Sequence, residues 1–264
     1  MKTVFKITWI SILSTIVRGL AQMLTKEGFS NVAKLSTMVG PLPIYYFIVN
    51  FVFFLAITIM FIPLNKYIPS SKLTKGIVYS VSIGIIWFAL RFEPNTYISV
   101  FAYLIDIIVF FIPLAIAGVF LGYLADDEKP LYKPTRYSLI TSGFVAVFWI
   151  VGKIIYFLLD PQEPKDPNLF TNTIWLLLTG LIIGMVLTII FETIQASRTQ
   201  TFLYMGVMLV IIFIGFYLYK QVVNPKFYAL LSLKPLIDIV FVTMGLLLGE
   251  RMFKLHTETK KELT

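Results

Sequence analysis

The sequence predicts an all-α integral membrane protein of about eight transmembrane helices. Three observations predict it: 58% hydrophobic residues against 14% charged, a mean hydropathy of +0.86, and a succession of apolar segments separated by short polar loops. Eight spans of roughly 21 residues each would take about two-thirds of the chain, which leaves no room for a soluble catalytic domain. Any function is therefore expected in or at the bilayer.

Segments of spanning length run from Ile7 to Thr25, Leu42 to Leu64, Gly76 to Phe92, Ile98 to Leu124, Tyr137 to Leu159, Asn172 to Ile194, Thr201 to Leu218 and Tyr228 to Glu250. The first, with Lys2 and Lys6 ahead of an apolar run, resembles a signal peptide, but Arg18 interrupts it and no small-residue cleavage pattern follows. A retained span is expected there, with an interfacial amphipathic helix as the alternative. The third is the weakest, because it is free of charge only from Gly76 to Leu90 and spans only if Arg91 snorkels outward. Seven spans remain if the first or third fails.

Two outer loops have some character. Asp160, Glu163 and Asp166 each precede a proline, so a polyproline segment would show them on one edge, although a stiff turn is the plainer reading. The stretch from Glu27 to Met38 repeats an apolar residue every third position and could lie on the outer interface.

With eight spans, thirteen Lys and Arg residues fall on the side of the N-terminus and six on the other. That bias places both termini in the cytoplasm. It also assigns the excess of 22 basic over 14 acidic residues to membrane topology, so no nucleic-acid partner is expected. The cysteine-free, Lys- and Ile-rich composition fits a multi-pass protein of a prokaryotic plasma membrane.

Fragments recur at a spacing near 130 residues. Leu104-Ile-Asp-Ile-Ile matches Leu236-Ile-Asp-Ile-Val, Ile57-Thr-Ile-Met-Phe resembles Leu187-Thr-Ile-Ile-Phe, and Ile16-Val-Arg-Gly resembles Ile150-Val-Gly-Lys. Pairs of glycines four apart close the fourth and eighth spans, at Gly118 and Gly122 and at Gly245 and Gly249. Two parallel four-helix repeats, residues 1–125 and 126–264, would account for these matches. The Asp motifs align at an offset of 132 and the glycines at 127, however, and a five-residue gap inside a helix rotates one motif by about 140°. Glycines four apart, with Gly180 and Gly184 as a third case, are read as close-packing positions without chemistry.

Five charges fall well inside spans: Arg18, Asp106, Lys153, Lys234 and Asp238. Counted at about 1.5 Å per residue, all five lie in one layer of the outer half. Such residues by default face a bundle interior, a partner or an aqueous cavity. Lys234 and Asp238 are four apart and can neutralise each other on one helix face, which leaves Asp106 to Arg18, Lys153 or Arg91. The layer carries one surplus cation, so an anionic small molecule or lipid head group is a candidate ligand, with Arg18 best suited to bind it bidentately. Pro113 and the Lys234-Pro235 step add expected kinks to the two Asp-bearing helices.

Enzyme chemistry is not expected. The chain has no cysteine, a single histidine in the C-terminal tail at His256, and none of the sequence patterns of metalloproteases, serine hydrolases or phosphate loops. No cofactor or metal is expected. The favoured expectation is a transporter or permease-like subunit that moves a small solute, ion or lipid past the charged layer. The alternative is a non-catalytic membrane subunit, immunity factor or scaffold whose buried charges pair with each other or with a span of another membrane protein.

Overall fold

The computed structural model describes residues 2–23, 44–68, 70–91, 100–125, 136–159, 169–194, 198–223 and 233–262. Among these residues the chain is all-helical. The helices are α1 (Lys2–Met23), α2 (Ile44–Asn65), α3 (Lys72–Arg91), α4 (Val100–Gly122), α5 (Arg136–Leu159), α6 (Leu169–Thr193), α7 (Arg198–Val223) and α8 (Leu233–Glu262). Each falls on one predicted apolar segment. The outer loops around Asp160 to Asp166 and Glu27 to Met38 lie outside the described residues.

Six of the helices, α1, α2, α3, α5, α6 and α7, are long and apolar enough to cross a membrane. In α4 the described side chains begin at Phe111, and Phe111–Gly122 is a shorter apolar stretch. Charges at Lys234, Asp238 and Glu250 interrupt α8. The third segment is stronger than its sequence suggests, because α3 starts at Lys72 and spans to Leu90 with Lys75 fully buried.

The distribution of polarity is that of a protein whose solvent is lipid. On α1 the exposed stripe is Phe5, Trp9, Ile12, Ile16 and Leu20, while Ser11, Ser14, Thr15 and Arg18 are buried. On α6 Ile174, Leu177, Leu178, Leu181 and Met185 are exposed, while Thr179 and Thr188 are buried. In water this arrangement would expose apolar area and desolvate polar groups at once, and both are unfavourable. In a bilayer both signs reverse. Several of the hydroxyls stay cheap to bury because they bond back to their own helix, Ser11 to the Ile7 carbonyl at 2.8 Å, Thr15 to Ser11 at 2.7 Å and Thr58 to Phe54 at 2.8 Å. The helical architecture and this inside-out polarity make the chain a polytopic membrane protein.

Two compact units are distinguished. The first comprises Met1–Gly84, Tyr97–Leu131 and Ile214–Leu231, and the second Ile85–Thr96, Tyr132–Phe213 and Ser232–Thr264. Within the first, α1 packs on α2 and α4. Gly118 and Gly122 of α4 meet the first turns of α3, where a Cβ on Gly118 would lie 2.9 Å from the Gly76 oxygen and one on Gly122 2.9 Å from the Leu73 Cα. Within the second, α5 packs on α6 and α8. The end of α3 joins this unit through side chains that cap backbone carbonyls: Trp87 Nε1 donates to Ile212 at 2.8 Å, and Trp175 Nε1 and Thr179 Oγ1 donate to Ala89 at 3.3 and 3.2 Å. Ala89 is within the last turn of α3, whose carbonyls have no partner further along the helix.

Candidate functional site: a buried ion pair between α5 and α8

The site grows from the packing of α5 against α8. A Cβ on Gly249 would stand 2.8 Å from the Thr141 Cα, one on Gly245 2.6 Å from the Val145 Cα, and one on Gly152 3.0 Å from the ring of Phe241. Ascending α5 thus descends α8 in one antiparallel register. Only glycine permits backbones to approach this closely, which is why the two helices touch along their length. On its other side α5 meets Gly180 and Gly184 of α6, at Ala146, Trp149 and Ser142.

The same register brings Lys153 of α5 to Asp238 of α8. Lys153 Nζ donates to Asp238 Oδ2 at 2.8 Å, with the residues 7% and 1% exposed. One rung along the register towards the start of α8, Lys234 Nζ stands 4.3 Å from the centre of the Tyr156 ring, whose face attracts a cation. One turn the other way, Lys153 Nζ is 5.2 Å from the Trp149 ring, and Trp149 meets Trp175 edge-on at 5.7 Å between centroids.

A salt bridge this dry is strong only while both partners are present, since either charge alone would be stranded in an apolar seam. Chemically, the pair can exchange one partner for a ligand of like charge. That exchange leaves the charge of the pair unchanged.

The sequence-predicted charges divide between the units. Lys153, Asp238 and Lys234 come together in the second, and Arg18 is buried at 4% exposure in the first. Asp106 lies on α4, and its side chain, like that of Arg91, is outside the described residues. Asp238 accepts a hydrogen bond from Lys153 on the neighbouring helix, a contact between helices that the four-residue spacing of Lys234 and Asp238 did not reveal. Pro235 falls in the first turn of α8, where no intrahelical hydrogen bond is lost, so only Pro113 of the two expected kink prolines is a mid-helix proline.

Sequence reasoning missed two buried charges, Lys75 at 0% exposure and Glu250 at 8%. Both carried a readable signal. Lys75 heads the stripe Tyr79, Ile83, Ile86 and Leu90, and Glu250 ends the stripe Asp238, Val242 and Leu246, all buried at helical spacing. No family model, curated protein or solved structure matches this chain, so its functional reading rests on the site itself.

Proposed function

We propose that this protein is a transporter or permease-like subunit that moves a small solute, ion or lipid past intramembrane charges. In this reading Asp238 and Asp106 are protonatable or cation-binding groups, and Arg18, Lys153 and Lys234 are anion contacts or counter-ions. The Lys153–Asp238 pair carries the reading. Desolvating two full charges is expensive, and apolar residues of similar volume would hold α5 and α8 together as well or better, so a pair kept there suits a role beyond packing. Lys234, half-buried over Tyr156, offers a polar step one rung further out.

The architecture proposed is eight spans in two parallel four-helix halves, residues 1–125 and 126–264, with both termini in the cytoplasm of a prokaryotic cell. The matching neighbours support the duplication: α1 packs on α2 and α4 as α5 packs on α6 and α8. A second reading, a non-catalytic subunit or scaffold, draws on the way Lys153 and Asp238 neutralise each other without a ligand.

Solvent access separates the two readings. The chain has no cysteine, so Ile239→Cys, beside Asp238 and half-buried, would be its only thiol. Labelling of that thiol by a membrane-impermeant maleimide from both faces is the expected result. A thiol protected from both faces, in folded and abundant protein, would overturn the transport reading and favour the scaffold.

A further inference from the structure

We propose that α7 is hinged at the turn from Ile212 to Phe216, and that the indole of Trp87 is the spare donor that keeps the Ile212 carbonyl satisfied when this turn opens. The hinge goes beyond the transport reading and does not depend on it, because it stands on the geometry of α7 alone. Three observations fall on that one turn.

The first is where the helix changes unit. α7 passes from the second unit to the first between Phe213 and Ile214, as α3 passes from the first to the second between Gly84 and Ile85. A helix shared by two packed units is where a movement of one against the other is taken up. The second is a glycine, Gly215, which adjoins the boundary and is half-buried. Glycine inside a helix leaves the backbone more freedom than any other residue and weakens the turn that contains it.

The third is a hydrogen bond. Trp87 Nε1 donates to the Ile212 carbonyl at 2.8 Å, with Trp87 3% and Ile212 0% exposed. In a regular α-helix that carbonyl also accepts from the Phe216 N–H, and the ring this bond closes contains Gly215. A mid-helix carbonyl needs no second donor while its helix is intact. Opening the turn in lipid would otherwise strand the carbonyl, and that penalty is what holds spanning helices straight. With Trp87 in place the open turn keeps one bond at Ile212, and a side chain that enters the helical ladder is an established cause of bending.

α3 supplies the internal comparison. Ile83-Gly84 recurs as Ile214-Gly215 at a spacing of 131, so the turn from Val81 to Ile85 is the counterpart of the turn from Ile212 to Phe216. In α3, however, the glycine is packed: a Cβ on Gly84 would stand 3.0 Å from Leu114 Cδ1 and 3.1 Å from Phe111 Cε1 of α4. Gly84 therefore serves close contact, and the hinge is assigned to α7.

Residue-resolved hydrogen exchange on the full chain in mild detergent tests this. In the unaltered protein the Phe216 amide is expected to be at least about tenfold less protected than the Ile85 amide. Depth does not separate these two, since Ile85 lies six residues before Arg91 and Phe216 seven before Val223 at the ends of their helices. Gly215→Ala is expected to slow exchange at Phe216 about fivefold. Trp87→Phe is the decisive variant. Loss of an ordinary stabilising bond speeds exchange, whereas loss of a spare donor disfavours the open turn. Exchange at Phe216 is therefore expected to slow about tenfold in Trp87→Phe even as the unfolding midpoint falls. A Phe216 amide as well protected as that of Ile85 would overturn the proposal, as would exchange at Phe216 that is faster or unchanged in folded Trp87→Phe protein.

Discussion

Helices α4 and α8 carry the same Leu-Ile-Asp-Ile motif and the same glycine spacing, yet they turn their glycines to different neighbours. Gly118 and Gly122 of α4 lie against Gly76, Ile77 and Leu73 of α3, whereas Gly245 and Gly249 of α8 lie against Val145 and Thr141 of α5. At 100° per residue, Asp238 and Gly245 are about 20° apart around the helix, while Asp106 and Gly118 are about 120° apart. In α8 the aspartate therefore shares the face that glycine brings into backbone contact, and it meets Lys153 there. The five-residue discrepancy between the two repeat offsets, about 140° of rotation, corresponds to this change of neighbour. A glycine pair fixes which helix comes close, and its angular distance from a charge decides whether that charge enters the contact.

The largest effect should come from breaking the charge pair. Asp238→Asn strands Lys153 in the α5–α8 seam and should lower stability by about 3 kcal/mol, read as an unfolding midpoint in detergent. An unchanged midpoint would mean that the stranded lysine finds another acceptor. Next come the glycines that set the contacts. Gly245→Ala places a methyl 2.6 Å from the Val145 Cα and should destabilise by roughly 1–3 kcal/mol. Gly118→Ala should cost a similar amount, but only Gly245→Ala should also loosen the Lys153–Asp238 bond, visible as an Asp238→Leu substitution that costs less in the Gly245→Ala background than alone. Gly143→Ala and Gly206→Ala, with nothing within 4 Å, should be neutral or stabilising by up to about 1 kcal/mol.

Smaller effects test how the end of α3 is held. Trp87→Phe removes the hydrogen bond to Ile212 and should cost about 1 kcal/mol. Thr179→Val should cost about 0.6 kcal/mol, because Trp175 still donates to the Ala89 carbonyl. Equal losses at the two positions would show that the Ala89 carbonyl needs both donors.

Apolar runs interrupted by polar turns made all eight helices legible, because in lipid a backbone must satisfy its hydrogen bonds within its own segment. Arg18, Lys153 and Asp238 could be singled out because an ionised group inside such a run is conspicuous. The bond between Lys153 and Asp238 was not legible: Lys153 is 85 residues away and reaches the aspartate only through the register that Gly245 and Gly249 set. Lys75 escaped because counting charges by loop assigned it to the membrane surface, while its place at the head of a buried stripe shows only when helical spacing is followed across the loop boundary.

The most direct test of the account is a thermodynamic cycle on the pair itself, with Lys153→Met, Asp238→Leu and the two together measured for stability in detergent. The account predicts that each single substitution costs about 3 kcal/mol or more while the double variant returns to near the starting stability, because only an orphaned charge is penalised. Two losses that simply add would contradict it, since they would mean that Lys153 and Asp238 each answer to other groups and form no pair.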